Sequence, residues 1–199
     1  MSGNISAAGG DGTILAIFSH KDTFDEQQTE YGDVCRLITE CSSSKESLRR
    51  LYDMFKSHVY AVAYSITADH HLAEDCVSET FIRLAQVKRF DPSKGDGKGF
   101  ILTIARNVAM ELLRRYKRRK PDIIIQSYGD AEQTVEDSIF INQLLKELNS
   151  KQRQIVVMKC CAGLSFREIA RIMRSPESTV KSRYQKAMTI LKKKAGENI

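Results

Sequence analysis

The sequence predicts an all-α fold built as two small helical domains joined by a flexible acidic linker. Three observations carry that expectation. Apolar residues recur at intervals of three and four through most of the chain, and no segment shows convincing strand alternation. Charge falls in blocks: residues 58–120 hold 12 basic and 7 acidic groups, residues 121–145 hold 0 and 5, and residues 146–199 hold 13 and 4. The last fifty residues contain two helix-start signals separated by a tight break, the pattern of a helix-turn-helix.

In chain order, residues 1–30 contain Gly, Ser and Asp around one apolar patch, TILAIF, and read as a disordered extension or a minor appendage. A weak helix is expected from about Asp33 to Glu40, before the Ser42-Ser43-Ser44 break. Leu48, Leu51, Phe55, Val59, Val62 and Ile66 then mark a long amphipathic helix. A turn near Asp69 leads into a second, with Leu72, Cys76, Val77, Phe81 and Leu84 inward. The Pro- and Gly-rich stretch FDPSKGDGKG reads as a loop. A third helix is expected to begin near Phe100, with Ile101, Ile104, Ala105, Val108 and Leu112 inward, and to end in RRYKRRK at Pro121. The first domain is therefore placed at 31–120, the linker at 121–140 and the second domain at 141–199. Ile123-Ile124-Ile125 is a short β-prone run inside the linker.

In the second domain, Ser165 followed by Glu168 forms a capping box. Phe166, Ile169, Ala170 and Met173 give the next helix one apolar face. Ser175 is expected to cap the following helix, with Pro176 at its first position. There Val180, Tyr184, Ala187 and Leu191 line one face, and Thr179, Ser182, Arg183 and Lys186 the opposite one. A short helix presenting hydroxyls and cations after a tight turn suits major-groove reading.

The formal net charge of +6 and its two basic blocks favour a nucleic-acid partner. No apolar run approaches a membrane span, and MSGNISAAGGDG lacks the order of a secretory signal, so a cytoplasmic protein with no membrane insertion of its own is expected. Five cysteines, Cys35, Cys41, Cys76, Cys160 and Cys161, form no CxxC pair and are odd in number, which argues against a disulfide framework and a structural zinc. His70 and His71 lie near Glu74 and Asp75 without further ligands at useful spacing. No nucleophile–base pair, phosphate-binding glycine motif or metal cluster is recognisable, so neither an enzyme nor a cofactor or metal site is expected.

Two outward stripes in the first domain complete the reading. Asp75, Ser78, Glu79, Ile82, Arg83 and Gln86 share one face, and Ile82 amid charges of both signs resembles the centre of a small protein interface. Thr103, Arg106, Asn107, Met110 and Arg114 share another, with groups suited to phosphates and base edges.

LYDMFKSHVYAVAYSITADHHLAEDCVSETFIRLAQ, then FDPSKGDGKGFILTIARNVAMELLRR, then LSFREIA…STVKSR, in this order and spacing, resemble a bacterial RNA polymerase sigma factor of the extracytoplasmic-function group, within the sigma-70 family. The resemblance covers roughly residues 31–120 and 141–194. It implies sigma domain two, then sigma domain four, and an alternative sigma factor that brings core polymerase to specific promoters and assists their melting. It implies core-polymerase binding by Asp75, Ser78, Glu79, Ile82 and Arg83. It implies minus-ten contacts by Lys98, Phe100, Arg106, Asn107, Arg114 and Arg115. It implies minus-thirty-five contacts by Arg171, Ser178, Thr179, Lys181, Ser182, Arg183 and Lys186. Core RNA polymerase, promoter DNA and an anti-sigma factor are the implied partners. Phe100 stands where many members have Trp, Asn107 matches their ARN, and Gly97 stands where many carry a bulkier residue. Two other readings compete. Against a sigma-like helical protein that binds a regulator but no promoter stands the intact pair of basic readers. The other is a helix-turn-helix regulator acting as a dimer on a palindromic site without replacing a sigma factor. That reading leaves Ile82 and its stripe unexplained.

Overall fold

A computed structural model describes residues 34–92, 96–119 and 145–197. Among these residues it contains seven α-helices and no strand. They are α1 (Val34–Glu40), α2 (Lys45–Thr67), α3 (His70–Ala85), α4 (Gly97–Arg119), α5 (Ser150–Cys160), α6 (Phe166–Met173) and α7 (Glu177–Glu197). The expectations for residues 1–30 with TILAIF, for the linker 121–140 and for Ile123–Ile125 lie outside the described residues.

Helices α2, α3 and α4 pack on one another, and α1 lies across α2 and the start of α4. The apolar stripe of α2 is the axis of this half: Leu51, Phe55, Val59 and Val62 are at most 1% exposed. Ser44 caps α2 by accepting from Ser47 N at 3.1 Å. Its end turns at Ala68, in the left-handed region at φ 54°. Asp69 then caps α3, accepting from Leu72 N at 2.8 Å.

Helix α4 starts three residues earlier than the sequence suggested, so the glycine loop is shorter. Asp96 is the reason. Its carbonyl accepts from Phe100 N at 3.2 Å, and its side chain accepts from Gly99 N at 2.5 Å. A well-placed cap overrides the poor helix propensity of Gly97 and Gly99. Gly97 also answers a packing need. A Cβ there would lie 2.6 Å from Val34 Cγ1 and 2.8 Å from Ile38 Cδ1. Helix α1 occupies the space that a side chain at 97 would fill. That helix is also no weak appendage: Val34, Leu37 and Ile38 are at most 1% exposed. Gly97→Ala is expected to lower stability by about 1–3 kcal/mol through overpacking. Urea denaturation would check this, and an unchanged midpoint would place α1 elsewhere in solution.

In the second half, Asn149 and Gln152 form a reciprocal capping box at the start of α5. Ile155, Val156, Val157 and Met158 are consecutive and all buried, because α5 is enclosed by α7 and α6 on one side and by α2 on another. The expected Ser165–Glu168 capping box is present at α6. The turn to α7 is a Schellman motif: Ser175 N donates to Ala170 O at 3.0 Å, and Arg174 N to Arg171 O at 3.2 Å. Arg174 takes the left-handed position at φ 49°. This corrects the expected Ser175 cap. The motif folds Ser175 back onto α6, its hydroxyl donates to Met173 O at 3.3 Å, and Pro176 supplies the carbonyl that accepts from Val180 N.

Candidate polymerase and nucleic-acid interfaces

The core-facing side of α3 consists of Ala73, Cys76, Thr80, Phe81 and Leu84. Its opposite side therefore presents Asp75, Ser78 and Ile82 to solvent, and Ile82 is 53% exposed. Arg83, placed on that stripe by the sequence, is held in a network. It donates to Glu79 Oε1 and to Glu111 Oε2, each at 2.7 Å, and Glu111 also accepts from Arg115. The hydrogen bonds from Arg83 hold the Glu111 carboxyl below its ordinary range. The hydrogen bonds to Glu111 and then Glu79 raise the Arg83 guanidinium. Arg83 thus ties α3 to α4 while lying at the edge of the candidate surface.

On α4, Asn107, Arg114 and Arg115 are exposed, whereas Lys98, Phe100 and Arg106 are half-buried. The Phe100 ring packs on Phe90, with centroids 4.9 Å apart. Arg106 donates Nε–H to Gln154 Oε1 at 3.2 Å. Burial, and then the neighbouring Arg174, lower its pKa. Burial also lowers the pKa of Lys98, against the opposing fields of Glu168 and Asp96. The structure therefore separates the six candidate minus-ten residues into an exposed group along the helix and a half-buried group, of which Arg106 bonds to the second half of the chain.

On α7, Val180, Ala187 and Leu191 are buried, and Tyr184 packs edge-on against Phe166 at 5.3 Å. Ser178, Lys181, Ser182 and Lys186 are exposed, while Thr179 and Arg183 are partly covered. Lys181 pairs with Glu177 at 2.8 Å, an exposed contact worth little to stability. Arg171 projects from α6 and lines a cleft of about 780 Å³ with Lys88, Arg89, Phe90, Phe100 and Glu168.

Sequence reasoning missed Gln154 as the partner of Arg106, and Asp96 and Glu168 as the acids whose fields act on Lys98. The capping signal at Glu168 was readable, but nothing in the sequence links that residue to Lys98 across the fold. The cysteines carry no sign of reactivity. Burial pushes Cys76 up to about 11 and Cys161 up to about 12, which keeps both as thiols. No helix among the described residues is long and apolar enough to cross a membrane.

Comparison with known proteins agrees with this organisation. The family described as Sigma-70 region 2 matches residues 51–119, and Sigma-70, region 4, matches residues 141–191. The extracytoplasmic-function sigma factor SigM of Bacillus subtilis is 29% identical over 144 residues, covering 68% of this chain and 87% of SigM. BldN of Streptomyces coelicolor, of the same group, is 28% identical over 156 residues, covering 73% of this chain and 59% of BldN. Among solved structures, the sigma factor RpoE in complex with the anti-sigma factor NepR, from Bartonella quintana, superposes with a TM-score of 0.64 at 24% identity. That match covers 75% of this chain and 96% of RpoE, and at this identity it speaks to the fold. With both sigma-70 regions matched in order, the chain belongs to the sigma-70 family and, within it, to the extracytoplasmic-function group of alternative RNA polymerase sigma factors.

Proposed function

We propose that residues 31–120 form the polymerase-binding and minus-ten-reading domain and residues 141–199 the minus-thirty-five-reading domain, with 121–140 as the linker. In this reading the protein is not an enzyme. It works in the cytoplasm, where it binds core RNA polymerase, directs it to particular promoters, helps to open them, and is held in check by an anti-sigma factor. Asp75, Ser78, Glu79, Ile82 and Arg83 dock on the polymerase. Lys98, Phe100, Arg106, Asn107, Arg114 and Arg115 meet the minus-ten element. Arg171, Ser178, Thr179, Lys181, Ser182, Arg183 and Lys186 meet the minus-thirty-five element. The observation that carries the reading is the exposed Ile82 at the centre of a mixed-charge stripe on the same chain as an exposed hydroxyl-and-cation helix face. A DNA-binding regulator needs only the second of these.

Each half offers few contacts, so each binds weakly by itself. Both gain when one polymerase holds them on one promoter, because the second contact is then intramolecular. Run-off transcription with purified core polymerase tests the reading. Transcripts initiated from a defined promoter are expected, and their absence on every promoter that the protein binds would favour the dimeric regulator.

Arg183 reports on the recognition helix. If it reads a base edge, Arg183→Ala should cost about 1–3 kcal/mol at the cognate promoter and relax preference at one or two positions. If it anchors a phosphate, binding should weaken on all sequences alike and the salt slope should fall by about one. Titrations at several salt concentrations separate these, and no change in either quantity would remove Arg183 from the interface.

A further inference from the structure

The cleft lined by Arg171 gathers chemistry that the three candidate surfaces leave unused. Its walls come from α1, the segment after α3, the start of α4, and α6. At about 780 Å³ it falls within the roughly 300–1,000 Å³ of small-molecule sites. Lys88, Arg89, Phe90 and Asp96 all line it, and none of them belongs to the polymerase, minus-ten or minus-thirty-five sets.

Three kinds of group converge there. The first is apolar. The Phe90 and Phe100 rings have centroids 4.9 Å apart and planes inclined at 56°, and both are half-buried, so each keeps ring surface open to the cleft. The second is cationic. Lys88, Arg89 and Arg171 are exposed and pair with no carboxylate among the described residues, whereas Arg83, Arg115 and Lys181 each hold an acid. With Asp91 beside them, the rim keeps two positive charges in excess. The third is a carboxyl pair. Burial and then the hydrogen bond with Glu168 raise the Asp96 carboxyl above its ordinary range. Glu168 lies below its range despite burial, because Asp96 and Ser165 donate to it. The pair thus keeps one negative charge, and its oxygens can accept N–H groups.

We propose that the cleft binds a purine nucleotide: the base lies against Phe90 and Phe100 with its N–H edge toward Asp96 and Glu168, and the phosphates meet Lys88, Arg89 and Arg171. No simpler ligand uses all three kinds of group. A bare polyphosphate leaves the rings idle. An apolar molecule leaves the cations without a partner. A pyrimidine has one ring and covers less of the two phenyl faces. Arginine and lysine at an open rim are ordinary phosphate partners, and an aromatic ring accepts any flat base. The binding stands whether or not Phe100 and Arg171 also meet promoter DNA, since a mononucleotide is tested on the chain without DNA.

Isothermal titration of the full chain with GDP, ADP, UDP and inorganic pyrophosphate, in magnesium-free buffer, tests the site. GDP and ADP should bind at one per chain and about ten-fold more tightly than UDP or pyrophosphate, the weight of one well-stacked base. Phe90→Leu should remove most of that base preference and leave pyrophosphate binding as in the parent. Arg89→Gln changes an exposed side chain, so the fold should persist, and it should weaken GDP, ADP and pyrophosphate alike. Arg118→Gln removes an equal charge from the exposed end of α4, outside the cleft, and should weaken none of them. Melting temperatures of the variants without nucleotide check that each is folded. UDP or pyrophosphate binding as tightly as GDP would overturn the proposal. So would equal losses in Arg118→Gln and Arg89→Gln, which would mean that the basic surface attracts any polyphosphate. A base preference that survives in folded Phe90→Leu, or no binding of either purine nucleotide at millimolar concentration, would also sink it.

Discussion

Ile82→Asp is expected to abolish binding to core polymerase while leaving the fold intact. The side chain is 53% exposed and points away from the face formed by Cys76, Phe81 and Leu84, so an aspartate there stays solvated in the free protein. In the complex the same carboxylate would be desolvated without a partner. An uncompensated charge in an interface costs about 3–5 kcal/mol, a loss of roughly two to four orders of magnitude in affinity. Native co-elution with core polymerase measures the loss, and the melting temperature of the free protein supplies the control. Unaltered affinity would mean that α3 docks through another face. The network of Arg83 with Glu79 and Glu111 makes Ile82 the better reporter, because replacing Arg83 would also loosen α3 from α4.

Phe100→Ala is expected to uncouple promoter binding from promoter opening. The recognition face of α7 is untouched, so the holoenzyme should still bind duplex promoter. Strand separation should fall, because the site loses a ring that would support an unstacked base, an interaction worth about 1–3 kcal/mol. A template with a pre-melted bubble should recover most of the transcription, since the cost of unstacking is then already met. The structure also shows what competes with this role. Phe100 packs on Phe90 and is half-buried, so truncation also removes packing area. That cost should stay below the about 3–5 kcal/mol of a fully buried Phe, and a thermal melt of the variant checks it. A collapsed melting temperature, or no rescue by the bubble, would make Phe100 a packing residue only.

Local chemistry made much of this protein legible. The stripe Leu51, Phe55, Val59, Val62 and Ile66 is buried as its spacing required, and the Ser165–Glu168 box starts α6. The outward positions of Ile82 and Asn107 follow from the same helical period. Each of these depends on residues within a few positions of one another, where period and capping act directly.

Other features had no local sign. Helix α5 shows no single apolar face, because Ile155 to Met158 are enclosed by neighbours on more than one side. The glycine at 97 looked like loop chemistry, yet the demand for it comes from Val34 and Ile38, some sixty positions earlier in the chain.

By itself, then, the sequence determined the helices with one clear face, the charge blocks and outward residues such as Ile82 of α3, Asn107 of α4 and Lys186 of α7. These follow from the intrinsic geometry of a helix and the spacing of side chains along it. Only the tertiary structure decided that Lys98, Phe100 and Arg106 are half-buried, with Arg106 bonded to Gln154 of the second half, while Asn107, Arg114 and Arg115 remain exposed. Arg106 and Gln154 are 48 positions apart, and Asp96 and Glu168 are 72 apart. Their meeting depends on how α2 and α4 pack against α5 and α6, which no periodicity along the chain encodes.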